Sequence, residues 1–305
     1  MNSGLVLRAL DGASPLGFLA ALGTLRLLEL ALPGENRPRM RWTRRSGFRP
    51  QITGLTLSEQ ELCSLLAKAP SAPIEELSVL GKNITVGPSQ FREFAEQAQL
   101  NATRRDHRAA DFAACFGSEV CINEKLDDRI QYTAFCFITG SGHQDFLTTA
   151  ANLSGKVTPE HINEALFGEW RYAEKGLSFG WDPADAREYA LRWGDPGPEG
   201  VWTVWGANRL AIEALPLLPA IASRQRLNTT GFALISRVMQ FTWPIWDGEL
   251  NCDSIKSLLS LPELQQETID RRLFERGILE VYRAQRVRIG SGANFKVRFR
   301  PARAI

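Results

Sequence analysis

The sequence predicts an α+β fold of mixed helices and mainly antiparallel strands, closed by a basic C-terminal β-hairpin. Three observations carry this expectation. Helix-spaced apolar segments with recognisable caps recur along the chain, at 15–32, 58–67, 89–100 and 106–116. Strand-like segments come in neighbouring pairs joined by tight turns, at 39–53 and 279–300. The 305 residues, 44% hydrophobic and 23% charged, have the composition of an ordinary globular protein long enough to bury a sizeable core.

In chain order, 5–10 reads as a strand and Asp11-Gly12-Ala13 as a turn. Ser14 then caps an apolar helix, with Pro15 at the first helical position, where no amide hydrogen bond is lost. Pro33-Gly34 stops that helix. Two short arginine-bearing strands follow, at 39–44 and 48–53, turning at Arg45-Ser46-Gly47. Ser58 and Glu61 form a capping box for a helix to 67. Between 70 and 88 the pattern is irregular, and then Phe91, Phe94, Ala95 and Ala98, and next Ala109, Ala110, Ala113 and Ala114, repeat at helical spacing. Aromatic and β-branched residues at 131–139 predict a buried strand, and Gly140-Ser141-Gly142 leads into a helix from His143 to about 153. Thr158 caps a further helix. Beyond a loop come a helix at 207–218, strands near 230–235 and 241–246, one or two helices within 252–276, and two strands at 279–289 and 294–300.

The stretch 176–206 carries Trp181, Trp193, Trp202 and Trp205 among prolines and glycines. This change of character divides the chain into an N-terminal α/β lobe, 1–180, and a C-terminal α+β lobe, 181–305, or marks a waist in one continuous bilobal domain.

Five cysteines without a Cys-x-x-Cys pair, and three histidines, offer neither a disulfide framework nor a familiar metal site, so no metal and no small-molecule cofactor are expected and a reducing cytoplasm fits best. The most apolar run, 16–32, contains Arg26 and Glu29 and reads as a core helix rather than a bilayer span or secretory signal, so no membrane is expected. Gly81-Lys82 and Gly155-Lys156 continue into Asn83 and Val157, not into the Ser or Thr of a phosphate-binding loop. No Asp-x-Lys or Glu-x-Lys nuclease pattern occurs. The nearest approach to a catalytic group is Ser141, His143 and Asp145, with Asp106 and His107 outside it. Its alternative is structural: the Gly-Ser-Gly turns the chain and Asp145 favours the positive helix start.

Net charge is only +2, but its distribution is uneven. Residues 37–49 hold six arginines and no acid, and 271–303 hold ten basic residues against Glu275 and Glu280. Arg39, Arg41, Arg44, Arg45 and Arg49 alternate with Met40 and Trp42 in a strand-like way. In the last hairpin, Arg286 and Arg288 share one face of a strand, as do Lys296, Arg298 and Arg300. The expectation is that all five line one side, with Val287, Ile289, Phe295, Val297 and Phe299 turned to the core. Arginine grips phosphate with a planar fork, so both patches are expected to contact nucleic-acid backbone, and to form one groove if they meet. The tryptophans are expected to pack in the core, with an alternative role as anchors of a protein-binding scaffold.

The segment 10–28, opening Leu10-Asp11-Gly12-Ala13-Ser14-Pro15-Leu16-Gly17-Phe18, resembles the start of CRISPR-associated proteins from subtype I-G (formerly I-U) loci. These include large-subunit-like proteins and an accessory family described as an extension of the helicase-nuclease. Ser141-Gly142-His143-Gln144-Asp145, Trp205-Gly206-Ala207-Asn208-Arg209, Phe241-Thr242-Trp243-Pro244-Ile245-Trp246 and the basic hairpin are similar to segments of the same group. The resemblance implies a place in or beside an RNA-guided DNA-interference complex, with guide RNA, target DNA and CRISPR effector subunits as partners. It assigns no catalytic residue, and the sequence favours a role other than enzyme. The alternative is a hydrolase or nuclease at Ser141, His143 and Asp145.

Overall fold

In the computed structural model, which describes residues 4–32, 34, 37–69, 74–124, 128–137, 145–186, 201–290 and 295–305, the apolar N-terminal helix is the central element. Helix α1 (Pro15–Ala31) is buried from Pro15 to Leu28. Ser14 accepts from the amide of Gly17 and Pro15 occupies the first turn, as the sequence predicts. Two layers enclose α1. One is helical: α2 (Glu59–Lys68), α7 (Pro159–Leu166), α8 (Trp205–Ala211) and the 3-10 turn Ile212–Leu217. The other is β-structure, whose large aromatic side chains pack on Phe18.

A three-stranded antiparallel sheet takes the order β1 (Leu5–Val6), β3 (Gly47–Thr53), β2 (Arg39–Arg45). The main sheet runs β10 (Phe232–Ile235), β11 (Val238–Trp246), β12 (Ile278–Ile289), β13 (Lys296–Phe299), with β14 (Arg303–Ala304) also on β12. Among the described residues, β4 (Gly117–Asn123) with β5 (Arg129–Tyr132), β6 (Glu174–Lys175) with β7 (Trp202–Thr203), and β8 (Ala220–Ser223) with β9 (Arg226–Thr229) form two-stranded ribbons. All pairings among the described residues are antiparallel, and the fold is α+β. The remaining helices are α3 (Ile74–Leu77), α4 (Pro88–Asn101), α5 (Arg108–Phe116), α6 (Phe146–Lys156), α9 (Cys252–Leu259) and α10 (Arg272–Glu275).

Two expectations need correction. Of the strand predicted at 131–139, the described residues show β5 ending at Tyr132, because Phe135 and Cys136 leave the ribbon to pack in the core, while 138 and 139 lie outside the described residues. The predicted helix at 207–218 begins at Trp205 and tightens to 3-10 geometry from Ile212, where Pro216 removes an amide donor.

One aromatic series crosses the molecule. Trp42 stacks on Phe18 at 5.9 Å, Phe18 meets Trp243 at 5.7 Å, Trp243 meets Phe241 at 5.0 Å and Phe241 meets Phe135 at 5.1 Å. Trp181 closes on Phe135 at 5.7 Å and on Phe179 at 4.5 Å. A single apolar cluster thus draws on both sides of the 180/181 division. Trp42, Trp181, Trp243 and Trp246 are core residues, Trp202 and Trp205 are half-buried, and Trp193 lies outside the described residues. No helix among the described residues is long and apolar enough to cross a membrane.

Candidate nucleic-acid interface

The β2–β3 hairpin presents arginines because its alternation is strict. Met40 and Trp42 point inward, so Arg39, Arg41, Thr43 and Arg45 share the opposite face. Cross-strand pairing places Gln51 beside Arg41, Arg49 beside Thr43 and Gly47 beside Arg45 on that same face. Arg39 and Arg45 are exposed and Arg41 is half-buried, its Nε donating to Gln51 Oε1 at 2.8 Å. Arg49 has a different task. Its guanidinium donates to the carbonyls of Leu10 and Ser46, both at 2.9 Å, and lies 3.6 Å from Asp11. It braces the hairpin tip against the turn before α1. Arg44 leaves the row for the other face and sits 5.9 Å over the Phe48 ring.

Beside the hairpin edge is a 390 Å³ cavity lined by Arg41, Trp42, Arg44, Phe48, Asp247 and Leu279 among others. Trp42 is 2% exposed, and its Nε1 donor has no hydrogen-bond partner among the described residues.

The terminal hairpin corrects the expected five-cation face. Arg286 pairs with Phe299, Val287 with Arg298, Arg288 with Val297 and Ile289 with Lys296. Directly opposed residues share a face, so Arg286 and Arg288 stand with Val297 and Phe299, while Lys296 and Arg298 stand with Val287 and Ile289. The two cation rows lie on opposite faces. Arg286 covers the Phe137 ring at 5.1 Å, and burial lowers its pKa. Arg298 is buried, Lys296 is half-buried, Arg288 stacks on Phe295 at 3.7 Å, and Arg300 is exposed.

The notch beside β2 touches Leu279 at the start of β12, whereas Arg288 lies near the strand's other end. Nine residues separate these positions, about 30 Å at an ordinary strand rise.

Of the predicted catalytic group, Ser141 and His143 lie outside the described residues. Asp145 pins the neighbouring turn: it accepts from Asn83 Nδ2 at 3.3 Å and pairs with Lys82 at 3.3 Å. Asp106 is held by Arg108, whose hydrogen bonds bring its carboxyl down to about 2. His107 forms a pair absent from the sequence reading, with Nδ1 2.9 Å from Asp111 Oδ2. Asp111 also binds Arg26 at 2.7 Å, Arg26 binds Glu213 at 2.9 Å, and Glu213 binds Arg209 at 3.2 Å. The available signals were the His107-x-x-x-Asp111 spacing and one arginine within an apolar helix.

Neither the models of known protein families nor curated protein sequences give a match to this chain.

Proposed function

We propose that the chain is a noncatalytic, cytoplasmic component or accessory of an RNA-guided CRISPR DNA-interference complex, holding guide RNA or target DNA by its backbone beside the effector subunits. The observation that supports this reading is the β2–β3 hairpin, where Arg39, Arg41 and Arg45 occupy one face and no acid intervenes. Alternate strand positions lie about 7 Å apart, a spacing suited to successive phosphates of an extended strand. Arg49 and the buried Met40 and Trp42 hold the hairpin in place, so less side-chain and backbone freedom is lost on binding. A row of this kind grips backbone without reading bases, which suits a system in which pairing supplies the sequence. The placement among CRISPR proteins rests on the sequence resemblance.

Replacing Arg39, Arg41 and Arg45 together by alanine is expected to weaken single-stranded RNA binding at least about tenfold and to reduce the slope of log K against log salt by about 2. An unchanged slope removes the hairpin from the interface. Purification of the tagged protein with the products of neighbouring genes tests the assignment itself. Guide-length RNA and effector subunits are expected in the eluate at moderate salt, and a nucleic-acid-free protein eluting alone overturns it.

A further inference from the structure

A second cleft, away from the hairpin face, lies between the C-terminal end of α1, the 103–107 loop and α9, with a volume of 710 Å³. That volume suits a nucleotide-sized ligand. Arg26, Arg37, Arg104, Arg105 and Lys256 line it against the carboxylates Glu29, Asp111 and Asp253. Arg26 is committed to Asp111 and Glu213. The other four cations have no ion-pair partner among the described residues.

The two loop arginines are presented by a built turn. Thr103 Oγ1 accepts from the amides of Arg105 and Asp106, at 3.3 and 3.0 Å, and the Thr103 amide donates to the Asp106 carbonyl at 2.8 Å. Asp106 is tied to Arg108, so it does not neutralise them. On the cleft floor, Asp111 receives both His107 and Arg26, and Glu29 accepts the amide of Cys252 at 2.8 Å. With Nδ1 engaged, His107 has Nε2 left for a ligand. Leu30 and Leu217 supply an apolar wall.

We infer that this cleft binds a phosphorylated nucleoside through its terminal phosphate monoester, whether as a free nucleotide or as the end of an oligonucleotide. Arg104, Arg105, Arg37 and Lys256 hold the phosphate, and the base lies along Leu30 and Leu217. A terminal monoester carries nearly two charges, against one for an internal diester, so four uncommitted cations favour an end over a chain interior. This inference does not rest on the hairpin reading.

The test uses the full chain and fluorescein-labelled single-stranded RNA with a 5′-phosphate, a 3′-phosphate or no terminal phosphate, followed by anisotropy at constant salt. One phosphorylated form is expected to bind at least about tenfold tighter than the unphosphorylated form. Arg104→Glu with Arg105→Glu is expected to erase that preference while leaving the urea unfolding midpoint unchanged, and Lys256→Glu to reduce it. The Arg39, Arg41, Arg45 alanine variant keeps the preference, which separates this site from the hairpin. Saturable binding of AMP that is lost in the Arg104/Arg105 variant assigns the free nucleotide, and competition by phosphorylated RNA alone assigns an oligonucleotide end. Equal affinities for all three RNAs together with no AMP binding, or a preference that survives both charge reversals, overturns the inference.

Discussion

Arg283 enters the far face of the main sheet as a guanidinium only 2% exposed. Nε donates to Thr242 Oγ1 at 2.9 Å, and the two terminal nitrogens reach the carbonyls of Leu264, Gln266 and Glu267 at 3.3, 2.6 and 3.1 Å. It closes the irregular 261–270 segment over the sheet. Arg283→Leu strands those acceptors and is expected to cost about 3–5 kcal/mol in urea unfolding. A lysine, lacking the fork, is expected to recover little. A second residue-scale test concerns the thiols. Burial raises the pKa of Cys115, Cys136 and Cys252, and pushes Cys63 up to about 11. These four are expected to resist iodoacetamide at pH 8 until the protein unfolds. Because the folded pKa of Cys63 lies above its ordinary 9.0, its contribution to stability is complete below pH 9 and lost between about 9 and 11. A urea midpoint that stays flat across that window in the wild type, and matches Cys63→Ala, sinks the assignment. Little of this was visible beforehand. Arg283 stood among the basic residues of the C-terminal stretch, and Arg26 served only to argue against a bilayer span. Burial of a cation is decided by acceptors far away in the chain.

Local features were the most legible at the scale of the element. Ser58 and Glu61 make the predicted capping box of α2, and Ser14 with Pro15 opens α1, because both signals lie within four residues of the bonds they make. The β2–β3 turn lies where Arg45-Ser46-Gly47 put it. Faces across the terminal hairpin were not legible. Alternation tells which residues of one strand share a side, but a one-residue change in alignment reverses the partner strand. Helix crossings were hidden for a related reason. Gly23 of α1 meets α8 so closely that an added Cβ would lie 1.8 Å from the Leu210 carbonyl oxygen, and Gly206 meets the His161 carbonyl at 2.1 Å by the same measure. Gly23→Ala is therefore expected to destabilise by at least about 1–3 kcal/mol despite alanine's better helix propensity. A variant as stable as the parent in urea would show that the two helices separate without cost.

The whole molecule is joined by contacts that are remote in sequence. Trp243 donates from its indole to the Gly12 carbonyl at 2.8 Å across 231 positions, and Trp246 to the Met40 carbonyl at 3.1 Å across 206. With one apolar cluster on both sides of the 180/181 division, a single cooperative transition is expected when tryptophan fluorescence and far-ultraviolet circular dichroism are followed together. Two separated transitions would instead divide the chain into lobes. The fold class was readable because capped helices and paired strands are local, but the joining of the lobes depends on Trp181, Trp243 and Trp246, whose partners across the chain no spacing rule announced. The remote partnership also sets a timetable. Ribosomes add about 5–20 residues per second, so Gly12 waits roughly 10–50 s for Trp243 to be made. Throughout that interval α1 has the early β2–β3 hairpin beside Phe18 but not the main sheet to lie against. The newborn chain is therefore expected to draw on chaperones that shelter sticky segments, with a yield in cells that depends on their supply more steeply than its finished stability suggests.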